Sequence, residues 1–416
     1  MTTESHPKMA TPVYSLDEAR DAVLALIPAP VSTESIALEN AVNRVLAKDI
    51  RAQHQVPPFR NSAMDGYAIR YQDSLNTEQF RLAGKSLAGH PFTGNMPANS
   101  AVRITTGAAL PADADTVVIQ ENTIVEDDVI SFTQAPKAQQ HLRNPGDDIA
   151  IGQLLIEKNR RLSPADTGLI AAQGIATVDV FIQPRVAVFS TGDELCNAGT
   201  PLKYGQIYDS NRTSIRSLLA RAGIETTDLG IISDHPDAMQ TIMNRGADFD
   251  FILSSGGVSV GEADYVKASL ENNGELFFWK VAMKPGKPMV TGKLTGGAFY
   301  FGLPGNPVSS MVTCVQFVIP AINAFCGQTY QPPISLSAVA QCNLPKEIGR
   351  FEFQRACAFP DEKGKLTVTT TGLQDSHVLS SMTKANCFVC LQADSSGANA
   401  GDIVEIILFS SLPGLN

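Results

Sequence analysis

The 416-residue chain carries 42 Asp and Glu against 32 Lys and Arg, a formal net charge of −10, and is 44% hydrophobic. That balance describes a globular protein long enough for several cores, and it predicts three or four domains. It excludes general binding to nucleic acid or anionic membrane, because no basic surplus exists to neutralise phosphates; an anionic ligand would need a local basic patch.

The start, MTTESHPKMATPVYS, lacks the apolar core of a signal peptide. Apolar stretches, of which Ile403 to Phe409 is typical, read as too short to span a bilayer. Seven cysteines without a secretory signal predict reduced thiols and a cytoplasmic protein. The Cys387/Cys390 pair in ANCFVCL has no second pair at metal-site spacing, so both are read as buried small hydrophobes.

In chain order, Ser15-Leu16-Asp17-Glu18 forms a capping box, and Ala19, Val23, Leu26 and Ile27 place an amphipathic helix after it, closed by Pro28 and Pro30. A second helix is predicted from Thr33 across ESIALENAVNRVL, on the spacing of Ile36, Leu38, Ala41, Val42, Val45 and Leu46. Between Val56 and Asp147 glycines recur, short β-rich runs appear and no helical period survives, which indicates an inserted β-rich domain. Ser163-Pro164 with Asp166 starts another helix that ends near Gln173-Gly174.

From Arg185 the chain alternates. Strand RVAVFST is followed by a helix capped by Asn211 and closed by Gly223, then strand TTDLGIIS, helix Asp234 to Arg245 and strand DFILSS. Next come helix Asp264 to Glu271, strand LFFWKVAM, a strand through Gly297–Phe301 and a long helix from Pro307 to Phe325. This is the signature of a doubly wound, mostly parallel α/β sheet. After Pro332-Pro333 the β-rich remainder predicts a separate small barrel or sandwich. No internal repeat appears.

Ligands in open α/β sheets sit at the strands' carboxyl ends, which directs attention to the loops. Ser190-Thr191-Gly192-Asp193-Glu194 follows the first strand of this unit. Ser254-Ser255-Gly256-Gly257-Val258-Ser259-Val260-Gly261 offers backbone N–H groups suited to an oxyanion, with Asp264 just beyond as helix cap, metal ligand or both. Lys280, Lys284 and Lys287 end an aromatic strand in a loop stiffened by Pro285 and Pro288. One lysine about 4 Å from a phosphate oxygen contributes at most about 4 kcal/mol at an effective dielectric near 20, so two or three could hold a di-anion despite the acidic chain. Pro304-Gly305-Asn306-Pro307 opens the long helix, whose dipole and free N–H groups favour a negative group. Facing these cations are Glu194, Asp234, Asp264 and, from the inserted domain, Asp65 and Asp148; carboxylates opposite lysines around phosphate suit Mg²⁺. In the inserted domain, NSAMDGYA and Thr105-Thr106-Gly107-Ala108 are dense in small polar groups, and Arg143, Gly146, Asp147 and Asp148 close it. No zinc-spaced cluster, nucleophile elbow, Walker loop or dinucleotide fingerprint occurs.

NSAMDGYA (61–68), TTGAALP (105–111), RNPGDDIA (143–150), STGDEL (190–195), GQIYDSNR (205–212), SGGVSVGEADY (255–265), WKVAMKPGKP (279–288) and GLPGNPVS (302–309) stand in collinear order over nearly the whole chain. Together they resemble the molybdopterin molybdenumtransferase (MoeA) family, related to the E domain of gephyrin. The resemblance implies a multidomain α/β protein: a helical linker domain (13–55 and 148–183, its first helix a candidate to pack on the α/β unit), the inserted β-rich domain (56–147), a molybdopterin-adenylyltransferase-like α/β domain (184–330) and a C-terminal β barrel (331–416). It further implies an elongated homodimer that consumes adenylylated molybdopterin and molybdate with Mg²⁺ and releases AMP and molybdenum cofactor. The site would lie between the α/β and C-terminal domains of one subunit and the inserted domain of the other. Asp65, Thr106, Glu194, Asp234, Lys280 and Lys284 would be catalytic. Arg143, Asp148, Ser255, Gly256, Gly257, Ser259, Asp264, Lys287, Pro304, Gly305, Asn306 and Pro307 would bind substrate, and a subset of Asp65, Glu194, Asp234 and Asp264 would hold Mg²⁺. Other proteins of molybdenum cofactor biosynthesis would be further partners, with no nucleic acid and no membrane. The family commonly has an acid just before the NSAMDGYA asparagine, where this chain has Arg60. The rival readings are a molybdopterin adenylyltransferase and a non-catalytic dimeric scaffold.

Overall fold

The computed structural model describes residues 13–30, 32–233, 235–256 and 274–415. The α/β unit is built on a seven-stranded sheet. Its order is Val13–Tyr14, Gly274–Val281, Pro288–Leu294, Phe299–Leu303, Phe251–Ser255, Val186–Thr191 and Thr226–Ile232. The pairings involving Val186–Thr191 and Phe251–Ser255 are parallel, and Pro288–Leu294 runs antiparallel to both neighbours. The three strands from 186, 251 and 299 are fully buried and read as near-continuous apolar runs, as a sheet covered on both faces requires.

One face is covered by helices Leu16–Ala25, Ser210–Arg221 and Pro307–Phe325, whose apolar positions share a core with barrel residues Phe353, Phe388 and Phe409. The capping box at Ser15 forms as expected, with Glu18 accepting from the Ser15 backbone at 2.9 Å. The opposite face is covered by helix Pro236–Met243 through Met239, Ile242 and Met243. The predicted helix from Asp264 lies outside the described residues.

Helix Pro307–Phe325 corrects the membrane reading of the sequence. With 19 residues and an 18-residue stretch of mean hydropathy 1.6 it is long and apolar enough to cross a bilayer, yet 78% of that stretch is buried inside the protein. It is a core helix wrapped by sheet and barrel. Its middle, Cys314–Val318, is a π turn placed just before Pro320, which has no N–H to return to the preceding turn.

The predicted helix over 33–46 does not form. Thr33–Ala37 is a strand paired antiparallel with Thr177–Phe181, followed by a short 3₁₀ turn and Asn43 at φ 67°. A row of backbone bonds to Thr177–Phe181 and the burial of Ala41, Leu46, Val178 and Val180 against Ile170 outweigh a weak helical period. The described parts of residues 13–55 and 148–183 are therefore a mixture of short strands and helix, with Pro164–Ala172 their second α-helix. Arg161 fastens this region to the α/β unit. It is largely buried and donates to Asn43 O, Ala222 O, Asn323 Oδ1 and Gln328 Oε1 at 2.9, 3.3, 2.7 and 3.1 Å.

The inserted region is a six-stranded sheet, ordered Thr116–Ile119, Gly66–Ile69, Ser100–Ile104, Gln79–Ser86, Val129–Phe132 and Thr123–Glu126, with an apolar cluster on each face. At the C-terminus, Phe351–Pro360, Leu366–Thr370, Leu336–Ala340, Ile403–Leu408 and Cys387–Leu391 close into a five-stranded barrel through the pairing of the first with the last. Met283–Lys284 pairs with Phe351–Glu352 and stitches the α/β unit to that barrel.

Cys387 points into the barrel core and Cys390 into the core shared with the α/β unit. They therefore stand on opposite faces of one strand, and all seven cysteines are free. Burial pushes the Cys387 thiol up to about 12, and it raises that of Cys390 as well. Native protein at pH 8 is accordingly expected to leave both unmodified by a thiol-specific disulfide reagent until it unfolds. Rapid labelling of either in the folded state would contradict this packing.

Candidate active site

Register places the loops singled out in the sequence on one edge. Ser190 pairs with Ser255, Ser255 with Leu303, Gly302 with Val290, and Pro288 with Lys280. The carboxyl ends of Val186–Thr191, Phe251–Ser255, Phe299–Leu303 and Gly274–Val281 therefore emerge side by side. Four strand spacings of about 4.8 Å separate the Lys280 end from the Thr191 end, about 19 Å in all. That is room for an extended anionic ligand.

Each loop is fixed by local chemistry. Gly256, at φ 94°, lies against Thr191, whose carbonyl oxygen would be 2.5 Å from any Cβ there. Its N–H donates to Leu303 O at 3.2 Å, so three strand ends are bound together. Glu194 is exposed, and its carboxylate folds over the Cα of Gly192, 2.6 Å from where a Cβ would stand. At the far end Lys280 and Lys287 are exposed, and Val281 N donates to Lys287 O at 3.0 Å to close the loop. Gly286, at φ 116°, admits Met283 and Thr313 at distances no side chain would allow.

Lys284 differs from the other two lysines. Its Nζ lies 3.2 Å from Glu352 Oε1 of the barrel; Glu352 is 4% exposed and Lys284 37%. Three positions further along the same strand, Arg355 is fully buried, and burial holds its guanidinium down to about 10. It donates to Ser381 Oγ at 3.0 Å and Asp375 O at 3.1 Å. The same barrel loop reaches the start of the long helix: Asn306 donates to Ser376 Oγ at 2.9 Å, and Val308 N to Ser376 O at 3.0 Å. This corrects the expectation of free N–H groups at that helix start, since Pro307 has none and the Val308 N–H is already taken.

Glu352, Arg355 and Ser376 are the residues here that the loop motifs do not reveal. A signal existed in FEFQRACAF, where Glu352 and Arg355 interrupt a β-rich apolar run. Buried charge in a strand calls for a partner.

The second half of the predicted site forms a separate corner. Asp65 Oδ1 accepts from Thr106 N at 2.7 Å and from Thr106 Oγ1 at 2.8 Å, which holds the Asp65 carboxyl below the ordinary aspartate range. Arg143 joins this corner through the pairing of Leu142–Arg143 with Asn61–Ser62. Asp148 is exposed near it, its N–H bound to Val56 O at 3.0 Å. Arg60 sits beside Asn61, its Nε buried without a partner. Asp65 and Thr106 adjoin strands of the six-stranded sheet and Arg143 lies in a separate two-stranded pair; among the described residues neither sheet has a strand pairing with the α/β sheet. Asp234, Gly257, Ser259 and Asp264 lie outside the described residues. Among the described residues no group of three or more His, Cys, Asp or Glu stands ready for a metal ion.

A doubly wound unit joined to a closed barrel, beside an inserted β-rich region, defines a multidomain α/β protein whose strand ends are suited by chemistry to an anion. The family description "MoeA N-terminal region (domain I and II)" matches residues 14–174, "Probable molybdopterin binding domain" matches 187–324, and "MoeA C-terminal region (domain IV)" matches 337–409. The molybdopterin molybdenumtransferase of Haemophilus influenzae is 43% identical over 97% of this chain and 100% of its own length. That of Bacillus subtilis is 35% identical over 90% of each. The crystal structure of a molybdopterin biosynthesis moeA protein from Pyrococcus horikoshii covers 95% of this chain and 100% of its own at a TM-score of 0.80 and 27% identity. The chain belongs to the molybdopterin molybdenumtransferase (MoeA) family.

Proposed function

We propose that the protein inserts molybdenum from molybdate into adenylylated molybdopterin, releasing AMP and molybdenum cofactor with Mg²⁺. The observation that carries this reading is the sheet edge at which the strand ending in Lys280, the loop after it with Lys284 and Lys287, and the Ser255–Gly256 and Pro304–Asn306 turns all emerge. Lysine ammonium groups and backbone amides of glycine turns favour the oxygens of a diphosphate and of molybdate. The carboxylate of Glu194 marks the opposite end.

Asp65 and Glu194 fit Mg²⁺ by chemistry, both being hard oxygen donors; Asp65 stays ionised and has its second oxygen uncommitted. A subset of those two together with Asp234 and Asp264 would hold the ion. When bound it would withdraw charge from a phosphoryl oxygen as the P–O bond to the leaving AMP breaks. The lysines hold the anions against one another, and an oxygen of water or molybdate, rather than a protein group, forms the new bond to the pterin-side phosphorus as AMP leaves with the bridging oxygen. We further propose that the chain acts as a homodimer, with the Asp65–Thr106–Arg143 corner completing its partner's edge, since the described residues show no strand pairing between that corner and the α/β sheet. The seven free thiols support a cytoplasmic setting.

The test is release of AMP from adenylylated molybdopterin, followed with and without molybdate and Mg²⁺. Molybdate-dependent release supports the reading. ATP consumption with molybdopterin would replace it with an adenylyltransferase, and a stable dimer without turnover would replace it with a scaffold.

A further inference from the structure

Asn211 is bound to two of the ligand-facing turns at once. Its Nδ2 donates to Ser255 Oγ at 2.9 Å and to Gly305 O at 2.6 Å. The side chain projects from the first turn of helix Ser210–Arg221, which is itself held firmly: Asp209, not Asn211 as the sequence suggested, caps this helix, accepting from Arg212 N at 3.1 Å. Buried Asp209 also accepts from Ser190 Oγ at 3.0 Å and Arg212 Nε at 2.8 Å. Arg212 in turn reaches Asn197 Oδ1 at 2.6 Å and Asp228 Oδ1 at 2.5 Å. A rigid base thus delivers one amide nitrogen to two neighbouring loops.

Resting on the adenylate reading above, we propose that Asn211 is a positioning residue: it locks the Ser255–Gly256 turn to the Pro304–Asn306 turn and sets the Ser255 hydroxyl as a donor toward a ligand oxyanion. Two acceptors flank Asn211, and only a primary amide offers two N–H bonds from one atom at this length; aspartate offers none, and serine one. Having accepted the amide's N–H, the Ser255 hydroxyl, itself 2% exposed at the end of its buried strand, still has its own proton to donate. Gly305 C=O is drawn toward Asn211, so Asn306 N–H of the same trans peptide points away from the helix. Asn211 Oδ1, meanwhile, is buried with no hydrogen-bond partner. A buried unpaired carbonyl is unfavourable to folding, so this residue is poorly explained by stability alone.

The ligand oxyanion could be the phosphate of the adenylate or molybdate itself, and titration calorimetry with AMP and with sodium molybdate in separate runs distinguishes them. Asn211→Ala is expected to leave the melting temperature of the full chain unchanged or higher while weakening at least one of the two anions by about tenfold or more. Asn211→Asp is expected to weaken it further, because a carboxylate would face Gly305 O and the anion. Loss for AMP alone assigns the turn to the adenylate phosphate, and loss for molybdate alone to the oxometallate. Wild-type affinity for both anions in both variants overturns the inference, as does a loss that only tracks a falling melting temperature. Wild-type protein that binds molybdate but not AMP would count against the adenylate reading while leaving the Asn211 inference to its molybdate run. Binding of neither would overturn both.

Discussion

Asp65→Asn is expected to lower molybdate-dependent AMP release by at least about 100-fold, the scale of removing one charged group that acts in the transition state. The melting temperature should stay near wild type, because the carboxylate is solvated and its partners, Thr106 N and Oγ1, can still donate to an amide oxygen. The pH dependence gives a second readout. Thr106 holds the Asp65 carboxyl below its ordinary value. Its ionisation therefore contributes stability that is present above the unfolded value and lost as pH falls through the folded one. An activity that needs the ionised form persists to lower pH than an ordinary aspartate would allow. Thr106→Val removes one of the two donors, so the acid limb of the profile should move toward higher pH. An Asp65→Asn variant with full turnover, or an acid limb unmoved by Thr106→Val, would remove this corner from the chemistry.

Lys284→Met should fail in two separable ways. Turnover is lost with the cation, and stability is lost because Glu352 remains behind, 4% exposed and without its partner. A fully buried pair broken on one side loses about 3–5 kcal/mol; with the ammonium over a third exposed, about 1–3 kcal/mol is expected here. Denaturant midpoints measure this directly. Lys284→Met combined with Glu352→Gln should recover most of the stability, since Gln354 can still reach an amide oxygen at position 352, and recover none of the turnover. If the double variant regains activity, Lys284 serves only to neutralise Glu352. If the single variant is as stable as wild type, the pair does not hold the barrel to the α/β unit. Neither outcome is expected from a lysine that both bridges two domains and faces a ligand.

The alternation from Arg185 onward reads straight into the α/β sheet because each strand is a buried apolar run and each turn is marked by glycine, proline or a cap. Ser15 with Glu18, and Ser163 with Asp166, show how much a capping box says, since its bonds are local and need nothing else of the fold. The stretch from Thr33 shows the reverse. Its apolar spacing is compatible with a helix, but Thr177–Phe181, more than a hundred residues away, supplies a row of backbone bonds that no local pattern contains. The long helix from Pro307 could be placed from sequence, whereas its burial could not. The same apolar composition serves a membrane span or a core, and only the sheet and barrel packed around it decide between them.

The site divides in the same way. Loops at the strands' carboxyl ends, the three lysines, and the Asp65 and Thr106 motifs are local signals, so the expectation of an anionic ligand, and of the sheet edge that would receive it, could be read from the chain alone. Which groups are already spent depends instead on contacts between distant parts of the chain. Lys284 is tied to Glu352, Val308 N–H to Ser376, and the Ser255 and Gly305 turns to Asn211. Those pairings join residues 44 to 94 positions apart along the chain, and Lys284 and Glu352 lie 68 apart in the sequence. They exist because burial leaves each polar group to find a partner from whatever element folding brings beside it.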